Sequence, residues 1–588
     1  MLQSLLFLLP ALATAAPDTL TPRETRNLTA LGQAAGAIKY FYPNRHTAQV
    51  SWETILVRSI PAVRRAPTDA TLAVTLDSLF RTLAPAAHIT AGPAVPSQTG
   101  LAQAGTGPFY YWEHQGLALD KKGLPVVRAM FQLGGLSYSS TIRAAEGPEA
   151  DKLFQGQQHY TVRLLDSLSL TFPLLLPRAQ YQQRLPYQPG RSVPRLSAAT
   201  SAQRLTTVLL SWNILQHFYP YRAVLDSARW QQALPLALQH AARATTEAEL
   251  LTACRTMLAK LPDRHVAISP KTRTGLHVIS PPWALQLRLI EEQVVVQQVP
   301  PNLAPQLLPG AVLTHVNSQP VAALLGQLQG TIPATSSAVA RQLATEALLT
   351  YVSAGASSAR FTFRDAQEHE QTYTLAFRKL RGSMYHQPPV VREVAPGIYF
   401  LDAARLRYPD FLRALPQLQA ARGVIIDLRQ RPSYDLLRVL PHFSAHPLLP
   451  DSTATPVLRQ PNFTQATFLG SASRPIVAQP PLLTARKVFL TGPHTYSYGE
   501  TVAELVRRHQ LGVLLGQTTG GTNGEMNFAA IGRVYQLSWT GRRIVGRGQP
   551  YQGTGLAPDI AVQPSLSHIV QGQDAELLRA VEWLQQTP

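Results

Sequence analysis

The chain has 588 residues and a single cysteine, Cys254, so a disulfide within the chain is excluded. Only 15% of the residues are charged and 45% are hydrophobic, and we therefore expect buried cores to stabilise the fold. Acidic residues are scarce, 34 against 53 basic ones, which gives a formal net charge of +19. The arginines are scattered and are not interleaved with aromatic residues, which favours a solvated basic surface over nucleic-acid binding. Lipid headgroups and acidic polymers stay open as anionic partners.

Long apolar runs are missing beyond the N-terminus. No later segment approaches the about 20 apolar residues that cross a membrane, so we expect no membrane span. The first residues are different, since the apolar run from Leu5 to Leu12 is followed by Ala13-Thr14-Ala15. This pattern predicts a secretory signal peptide over residues 1–15, although no lysine or arginine precedes the apolar run. The expected location is secreted or periplasmic, and association with the cell surface is left open.

Metal-binding patterns are also missing. The chain contains no H-E-x-x-H sequence, and its acidic residues are not grouped at the spacing of metal ligands. We therefore expect neither a metal nor a cofactor.

The segment from Lys487 to Asn523 carries the clearest chemistry. Its pattern predicts a strand, a turn with one serine, a helix, a second strand and a glycine-rich loop. Ser497 would lie where the strand leads into the helix, and the unpaired N–H groups there would favour an oxyanion beside its hydroxyl. The alternative is a capping box, in which Ser497 and Glu500 only close the end of the helix.

Three further segments extend this pattern in both directions along the chain. GVIIDLR precedes it at residues 423–429, the glycine pair Gly520 and Gly521 lies in the loop, and GTGLAPDI follows at residues 553–560. As an ordered set, these segments and the S-x-x-E sequence resemble the serine peptidases of family S41, the C-terminal processing peptidases and tricorn-like enzymes. The resemblance implies an α/β, ClpP/crotonase-like peptidase domain over residues 390–588, with a serine nucleophile and the glycine pair in a substrate loop.

Two branches of that family differ in the base that activates the serine. Processing peptidases use a lysine in the glycine-rich loop, but Thr522 stands at that position and no lysine occurs from Val488 onward. Tricorn-like enzymes use a histidine within a D-x-H sequence, which Asp263 and His265 supply. The resemblance therefore implies His265 as the base, since a neutral imidazole can accept the hydroxyl proton and return it to the leaving amine. On its own, a histidine after a helix is as readily structural.

The chain departs from the family at three parts of the predicted site, one of which is Arg264, where tricorn has a second serine. The resemblance implies an oxyanion hole formed by the Tyr498 N–H and an amide near Ser433 or Tyr434, where the family has a glycine pair. Gln552 stands where tricorn-like enzymes have a glutamate, and an amide cannot stabilise an imidazolium by charge. A missing oxyanion donor costs ~2.7 to 4 kcal/mol in the barrier, so we expect an active but slow enzyme. Asp263 and Glu525 are alternative acids for orienting the base.

The N-terminal half contains an internal repeat with a spacing of 177 residues. Residues 20–92 and 198–270 share an F-Y-P sequence, a tryptophan-led segment and a final histidine, and each copy predicts three helices. The first copy ends at His88 and has no aspartate where the second has Asp263. We predict that the first copy is a structural duplicate without a catalytic histidine.

Two further domains are predicted, which makes the fold multidomain α+β. Residues 105–182 alternate in the manner of strands and predict a β-rich, sandwich-like domain. Within residues 282–380, the run from Leu308 to Val321 resembles the core of PDZ domains, which bind extended chain ends by strand addition. This domain would either bind chain ends in its groove or serve as a rigid strut beside the active site, and the sequence leaves both roles open.

Two functions follow from these patterns. The first is a serine endopeptidase that hydrolyses peptides or unfolded proteins, as tail-specific proteases do, with Ser497, His265 and Gln552 in its catalytic site. The alternative is a catalytically impaired protein that keeps the fold to bind peptides or apolar ligands. The sequence leaves the oligomeric state open.

Overall fold

The structure is a computed structural model that describes most of the chain. The described residues are 17–92, 107–119, 129–130, 137–185, 194–271, 285–299, 307–353, 356–377, 387–546 and 551–586. The predicted signal peptide, residues 1–15, lies outside them. None of the helices in these ranges has the length and apolar character that crossing a membrane requires.

The N-terminal part consists of three helices and a strand: α1 (Pro22–Phe41), α2 (Trp52–Arg64), α3 (Asp69–Arg81) and β1 (His88–Ala91). Helix α1 begins at a capping box, in which the Thr21 hydroxyl accepts from the Glu24 N–H and the Glu24 carboxylate accepts from the Thr21 N–H. His88 is exposed at the start of β1. This position differs from that of its counterpart His265, which is buried.

The next part contains most of the strands that the sequence predicted for a β-rich domain. Its elements are β2 (Phe109–Gln115), β3 (Ala129–Met130), β4 (Ser137–Ala145), α4 (Gly147–Phe154), β5 (His159–Leu165), β6 (Leu168–Pro173), β7 (Leu176–Pro177) and α5 (Arg178–Gln182). These strands do not form the expected separate sandwich. Strands β5 and β6 make a small sheet with β1, while β2 and β4 belong to a larger sheet shared with the C-terminal part.

The second copy of the helical segment follows, with α6 (Ser201–Phe218), α7 (Ser227–Arg243), α8 (Glu247–Leu258) and β8 (Ala267–Pro270). Helix α6 packs against α1 through positions that correspond in the two copies. A Cβ on Gly36 would lie 2.0 Å from the Asn213 side chain, and the Tyr40 and His217 rings have centroids 5.9 Å apart. Gly36 faces Asn213, and four residues later along both helices Tyr40 faces His217. The two helices therefore run in the same direction.

A separate unit lies between the second copy and the C-terminal part. It contains β9 (Gln286–Ile290), β10 (Gln293–Gln298), β11 (Val312–Val316), β12 (Gln319–Pro320), α9 (Val321–Gln329), α10 (Ser337–Ser353), β13 (Ser358–Arg364) and β14 (Glu370–Ala376). Its strands form one antiparallel sheet in the order β14-β13-β11-β10-β9, with β12 paired to β11. The unit has a hydrophobic core of its own.

The C-terminal part has the alternating strands and helices that the sequence predicted. Its elements are β15 (Val391–Ala395), β16 (Ile398–Asp402), α11 (Tyr408–Gln419), β17 (Gly423–Asp427), α12 (Leu436–Val439), β18 (Ser452–Leu458), β19 (Thr467–Ser471), β20 (Arg486–Thr491), α13 (Tyr498–Arg508), β21 (Val513–Gly516), β22 (Glu525–Ile531), β23 (Tyr535–Val545), β24 (Ile560–Ala561), α14 (Leu566–Val570) and α15 (Ala575–Gln586). Six of the strands form a sheet in the order β15-β16-β17-β20-β21-β24, which is parallel from β16 onward. Hydrophobic cores cover both faces, since Val424 and Ile426 of β17 point into one core and Ile425 into the other.

A nine-stranded sheet joins distant parts of the sequence. It runs in the order β22-β23-β18-β2-β4-β3, and β19, β7 and β8 pair with strands along it. Strand β8 pairs antiparallel with β23, from Ala267 opposite Ser538 to Pro270 opposite Tyr535. The N-terminal helices share one hydrophobic core with this sheet. The pairing of β8 with β23 therefore fixes His265, two residues before β8, against the C-terminal part.

Candidate active site

Ser497 lies in the turn between β20 and α13, as the sequence predicted. Its backbone has φ 55° and ψ −120°, which is a strained conformation for a residue with a side chain. Its N–H donates to the Thr522 carbonyl at 2.7 Å. The Ser497 hydroxyl makes no capping hydrogen bond to the helix. The side chain is therefore available beside the first N–H groups of α13, where an oxyanion is favoured.

The Glu500 carboxylate is fully buried and faces the glycine-rich loop. It accepts hydrogen bonds from the Thr519 hydroxyl, the Gly521 N–H at 2.6 Å and the Thr522 N–H at 3.0 Å. Burial raises its pKa to about 7, and these donors act in the opposite direction. The capping box that the sequence offered as an alternative is wrong, because neither side chain closes the helix end. Glu500 instead ties α13 to the loop.

His265 is buried and its side chain contacts a hydroxyl on the neighbouring strand. Its Nδ1 lies 2.9 Å from Thr540 Oγ1, and its backbone carbonyl accepts from the Ser538 hydroxyl at 2.8 Å. Its pKa is lowered to about 3, chiefly by burial and then by the positive charges of Arg431 and Arg264. The imidazole is therefore neutral at pH 7. If Nδ1 carries the hydrogen and donates it to Thr540, Nε2 has a lone pair free to accept a proton.

Asp263 lies directly behind this histidine and is fully buried. Its Oδ1 accepts from the His265 N–H at 2.8 Å and lies 4.0 Å from His265 Nδ1. Burial raises the pKa of Asp263 to about 6, while the neighbouring Thr540 hydroxyl and the His265 N–H lower it. Thr540 thus lies next to both the imidazole and a buried carboxyl.

Thr522 connects the histidine segment to the serine segment. Its hydroxyl accepts from the Arg264 N–H at 2.9 Å, and its carbonyl accepts from the Ser497 N–H at 2.7 Å. The Tyr496 ring lies between the same segments, 4.0 Å from the Arg264 guanidinium and 6.2 Å from the His265 ring. The structure therefore brings together the two chain segments that carry Ser497 and His265, the residues that the sequence predicted as nucleophile and base.

The predicted oxyanion-hole residues differ in their availability. Tyr498 is the first residue of α13, so its N–H has no acceptor within the helix. The Ser433 N–H already donates to the Ala403 carbonyl at 2.8 Å, so it is not free for an oxyanion. Of the two residues at the glycine-pair position, Tyr434 remains, and its ring packs 4.8 Å from the Tyr498 ring.

Gln552 contacts the loop that follows the glycine pair. Its Oε1 accepts from the Asn523 N–H at 2.8 Å, whereas the side chain on His265 Nδ1 is Thr540. Gln552 also lies beside the buried Tyr219 hydroxyl, whose pKa is raised by burial and by nearby Asp263. Glu525, the other acid considered from the sequence, interacts with Arg542. Sequence reasoning missed Thr540, because no local motif marks it.

The glycine pair of the predicted substrate loop is closely surrounded. A Cβ on Gly520 would lie 2.8 Å from the Pro493 carbonyl oxygen. Gly521 has φ +68°, and a Cβ there would lie 2.7 Å from both the Gly555 nitrogen and the Thr335 methyl carbon. Both positions therefore require glycine, by close approach and, at Gly521, by backbone conformation.

No group of histidine, cysteine, aspartate and glutamate side chains is placed to hold a metal ion within the described part of the chain. The site is thus composed of a serine, a neutral histidine, hydroxyl groups and two buried carboxyls.

Serine peptidases combine a serine nucleophile with a neutral histidine base, and here a serine at the start of a helix and a buried neutral histidine lie on two segments that Thr522 joins. Residues 402–562 match the family model described as Peptidase family S41, which agrees with the resemblance that the sequence motifs indicated. No curated protein matches the chain.

Several solved structures resemble this chain at low sequence identity. Mature CPAF complexed with lactacystin aligns at 12% identity over 66% of this chain and 97% of that chain, with a TM-score of 0.51. Mature CPAF alone gives 12% identity over 65% and 95%, with a TM-score of 0.49. The photosystem II D1 C-terminal processing protease gives 14% identity over 63% and 97%, with a TM-score of 0.35. The likeness to the first is one of fold, and together with the family match it supports a peptidase function.

Proposed function

We propose that this protein is a secreted or periplasmic serine endopeptidase that acts on peptides or unfolded proteins. Ser497 is the nucleophile and His265 is the base. The observation that carries the proposal is the pair of hydrogen bonds through which Thr522 holds both segments. The location rests on the apolar N-terminal run, which lies outside the described residues.

The reaction would proceed through an acyl-enzyme. His265 Nε2 takes the proton of Ser497 Oγ as that oxygen bonds to the substrate carbonyl carbon. The Tyr498 N–H stabilises the oxyanion, joined by the Tyr434 N–H. When the tetrahedral intermediate collapses, the C–N bond breaks and Nε2 returns the proton to the leaving amine. Water then attacks the ester by the same route and releases the second product.

Thr540 and Asp263 would support the imidazolium that forms in each step. A neutral amide at Gln552 cannot supply charge, and it contacts the Asn523 N–H. Asp263, in contrast, is a buried acid 4.0 Å from His265 Nδ1, and an opposite charge at that distance favours the protonated imidazole. We assign Asp263 and Thr540 as positioning residues of the base.

The unit over residues 282–380 would act as a PDZ-like strut beside this site. Its helix α10 contacts the nucleophile turn, with Glu346 Oε2 2.6 Å from His494 Nε2. Thr335, which precedes α10, lies against Gly521 in the glycine-rich loop. These contacts favour the strut over a free groove, and the two helical copies would form the rigid support of the base.

The alternative function, a catalytically impaired binding protein, is favoured by one observation. The Ser433 N–H is occupied by the Ala403 carbonyl, which removes one candidate oxyanion donor. Loss of a donor costs ~2.7 to 4 kcal/mol, equivalent to about a hundredfold or more in rate.

Labelling with a fluorophosphonate probe separates the two functions. We expect the folded protein to be labelled, Ser497→Ala to be unlabelled, and the exposed-serine control Ser471→Ala to be labelled like the wild type. His265→Ala should lose peptidase activity to nearly the same extent as the double variant, because members of a catalytic unit are non-additive. Labelling that persists in Ser497→Ala, or losses that multiply, would contradict the assignment. Peptide binding without labelling would favour the alternative function.

A further inference from the structure

The loop after β17 forms one wall beside the candidate nucleophile. Pro432 packs against the first turn of α13, since a Cβ on Gly499 would lie 3.6 Å from Pro432 Cδ. Tyr434 is 59% exposed, and its ring packs against that of Tyr498, the residue after the nucleophile. The loop therefore presents its side chains next to the reacting centre.

Arg431 is the charged residue of this wall and is exposed. Its Nη2 donates to the Tyr434 hydroxyl at 2.8 Å, and its guanidinium lies 5.6 Å and 5.9 Å from the ring centroids of Tyr434 and Tyr498. Among the described residues, none supplies a carboxylate within 4.0 Å of this guanidinium. The two rings hold the cation in place by cation–π attraction and leave donor groups free for a ligand.

The neighbouring arginines Arg429 and Arg264, in contrast, already have partners within the fold. Arg429 is half-buried among carboxylates, with Nη2 2.8 Å from both Asp427 and Asp574. Arg264 packs on the Tyr496 ring and donates to the Pro493 carbonyl at 2.6 Å. Both are engaged by the fold, whereas Arg431 remains available to a bound molecule.

Arg431 is also close enough to the base to influence it. After burial, its positive charge is the largest cause that lowers the pKa of His265. A ligand group on Arg431 would therefore lie near the scissile bond. A carboxylate placed there would neutralise part of this charge and strengthen the base at the moment a substrate binds.

We propose that Arg431 binds a carboxylate of the substrate near the scissile bond, so that the enzyme selects acidic peptides. Arginine suits this role because its planar guanidinium binds a carboxylate through two parallel hydrogen bonds. The carboxylate comes from an aspartate or glutamate side chain or from the chain's C-terminus. The net charge of +19 would favour the approach of such substrates. This inference rests on the proposed peptidase function.

The test uses the full chain and two matched series of fluorogenic peptides. In the first series, aspartate or asparagine is scanned through the three positions on each side of the scissile bond. In the second, the C-terminus is either a free carboxylate or an amide. We expect kcat/KM of the wild type to be about tenfold higher for the carboxylate member of one series, which identifies the source of the carboxylate.

Arg431→Gln should reduce kcat/KM for the carboxylate peptide to the value of its neutral partner, and Arg431→Glu should reverse the preference. Arg438→Gln is the matched control, because it removes a cation that lies 4.0 Å from the Tyr408 ring. That control should leave the preference unchanged. A preference that persists in Arg431→Gln, or its absence from the wild type in both series, would overturn the proposal.

Binding of the same peptides distinguishes failure of this inference from failure of the proposed function. Fluorescence anisotropy with Ser497→Ala, and with Ser497→Ala combined with Arg431→Gln, needs no catalysis. If the wild type cleaves nothing, the peptidase function is wrong, but an Arg431-dependent preference for carboxylates in binding still supports the ligand assignment. Equal binding of charged and neutral peptides in both backgrounds would overturn it.

Discussion

Ser497 has a backbone conformation that few residues other than glycine adopt. Such strain costs of order 1–3 kcal/mol, and here it is retained at the candidate nucleophile, where it directs the hydroxyl away from the helix cap. We expect Ser497→Gly to be more stable than Ser497→Ala by about 1 kcal/mol, because glycine relieves the strain but loses more entropy on folding. Both variants should be inactive. Denaturant unfolding of the pair measures the difference, and an alanine variant of equal or higher stability would contradict it.

Thr540 is the residue on which the orientation of His265 depends in this structure. Thr540→Val keeps the shape and removes the hydroxyl, and we expect kcat/KM to fall about tenfold through the loss of one hydrogen bond. Thr540→Ser should retain most of the activity, because it keeps the oxygen 2.9 Å from Nδ1. Steady-state kinetics measures kcat/KM of the two variants, after thermal unfolding has shown that they are equally stable. Equal activity of the two would exclude Thr540 as a positioning residue.

At the scale of elements, Glu500 joins helix α13 to the glycine-rich loop through a carboxyl whose pKa is raised to about 7. A raised pKa in the folded state means that this group stabilises the fold most below its ordinary pKa of about 4.5, and that the contribution is lost as pH rises through 7. We expect the stability of the wild type relative to Glu500→Gln to fall by up to about 3 kcal/mol between pH 4.5 and 8.

Urea unfolding of both proteins at several pH values measures this difference. Taking the difference between the two proteins removes the contributions of Asp263 and His265, which titrate in both. His265 acts in the opposite direction, since its lowered pKa makes the fold lose stability as pH falls from 6.5 toward 3. A difference that does not change with pH would show that the Glu500 carboxyl titrates normally.

The elements also show which parts of the site a sequence can predict. The β20, Ser497 and α13 unit was predicted because strand, turn and helix are adjacent in the chain, and local pattern determines them. The contact of Thr540 with His265 was missed, because it arises when β8 pairs with β23 and no local signal sets that register. For the same reason, the pairing of β2 with β18 was missed, and a separate sandwich was expected instead.

At the scale of the whole molecule, the two helical copies meet where α1 packs against α6. Gly36 leaves no room there, since a Cβ would lie 2.0 Å from Asn213 Oδ1. We expect Gly36→Ala to destabilise the protein by about 1–3 kcal/mol through overpacking. Gly326→Ala, in the middle of α9, has open space around the new methyl group and should be neutral or stabilising by up to about 1 kcal/mol.

Differential scanning calorimetry of these two glycine variants provides the comparison. Because α6 to α8 lead into the segment that carries His265, the Gly36→Ala protein should lose activity at a lower temperature than the wild type while keeping its rate at 25 °C. A drop in rate at 25 °C without a change in unfolding temperature would show that the packing of the copies acts directly on the site.

The pairing of β8 with β23 has a consequence for how the protein is made. Strand β23 follows Ser497 in the chain, so His265 can be held in place only after residues 535–545 have been synthesised. During translation, the candidate base His265 emerges first, and the candidate nucleophile Ser497 emerges before the strand that pairs with β8. If the protein is the proposed peptidase, an unfinished chain would be unable to cleave its neighbours or itself.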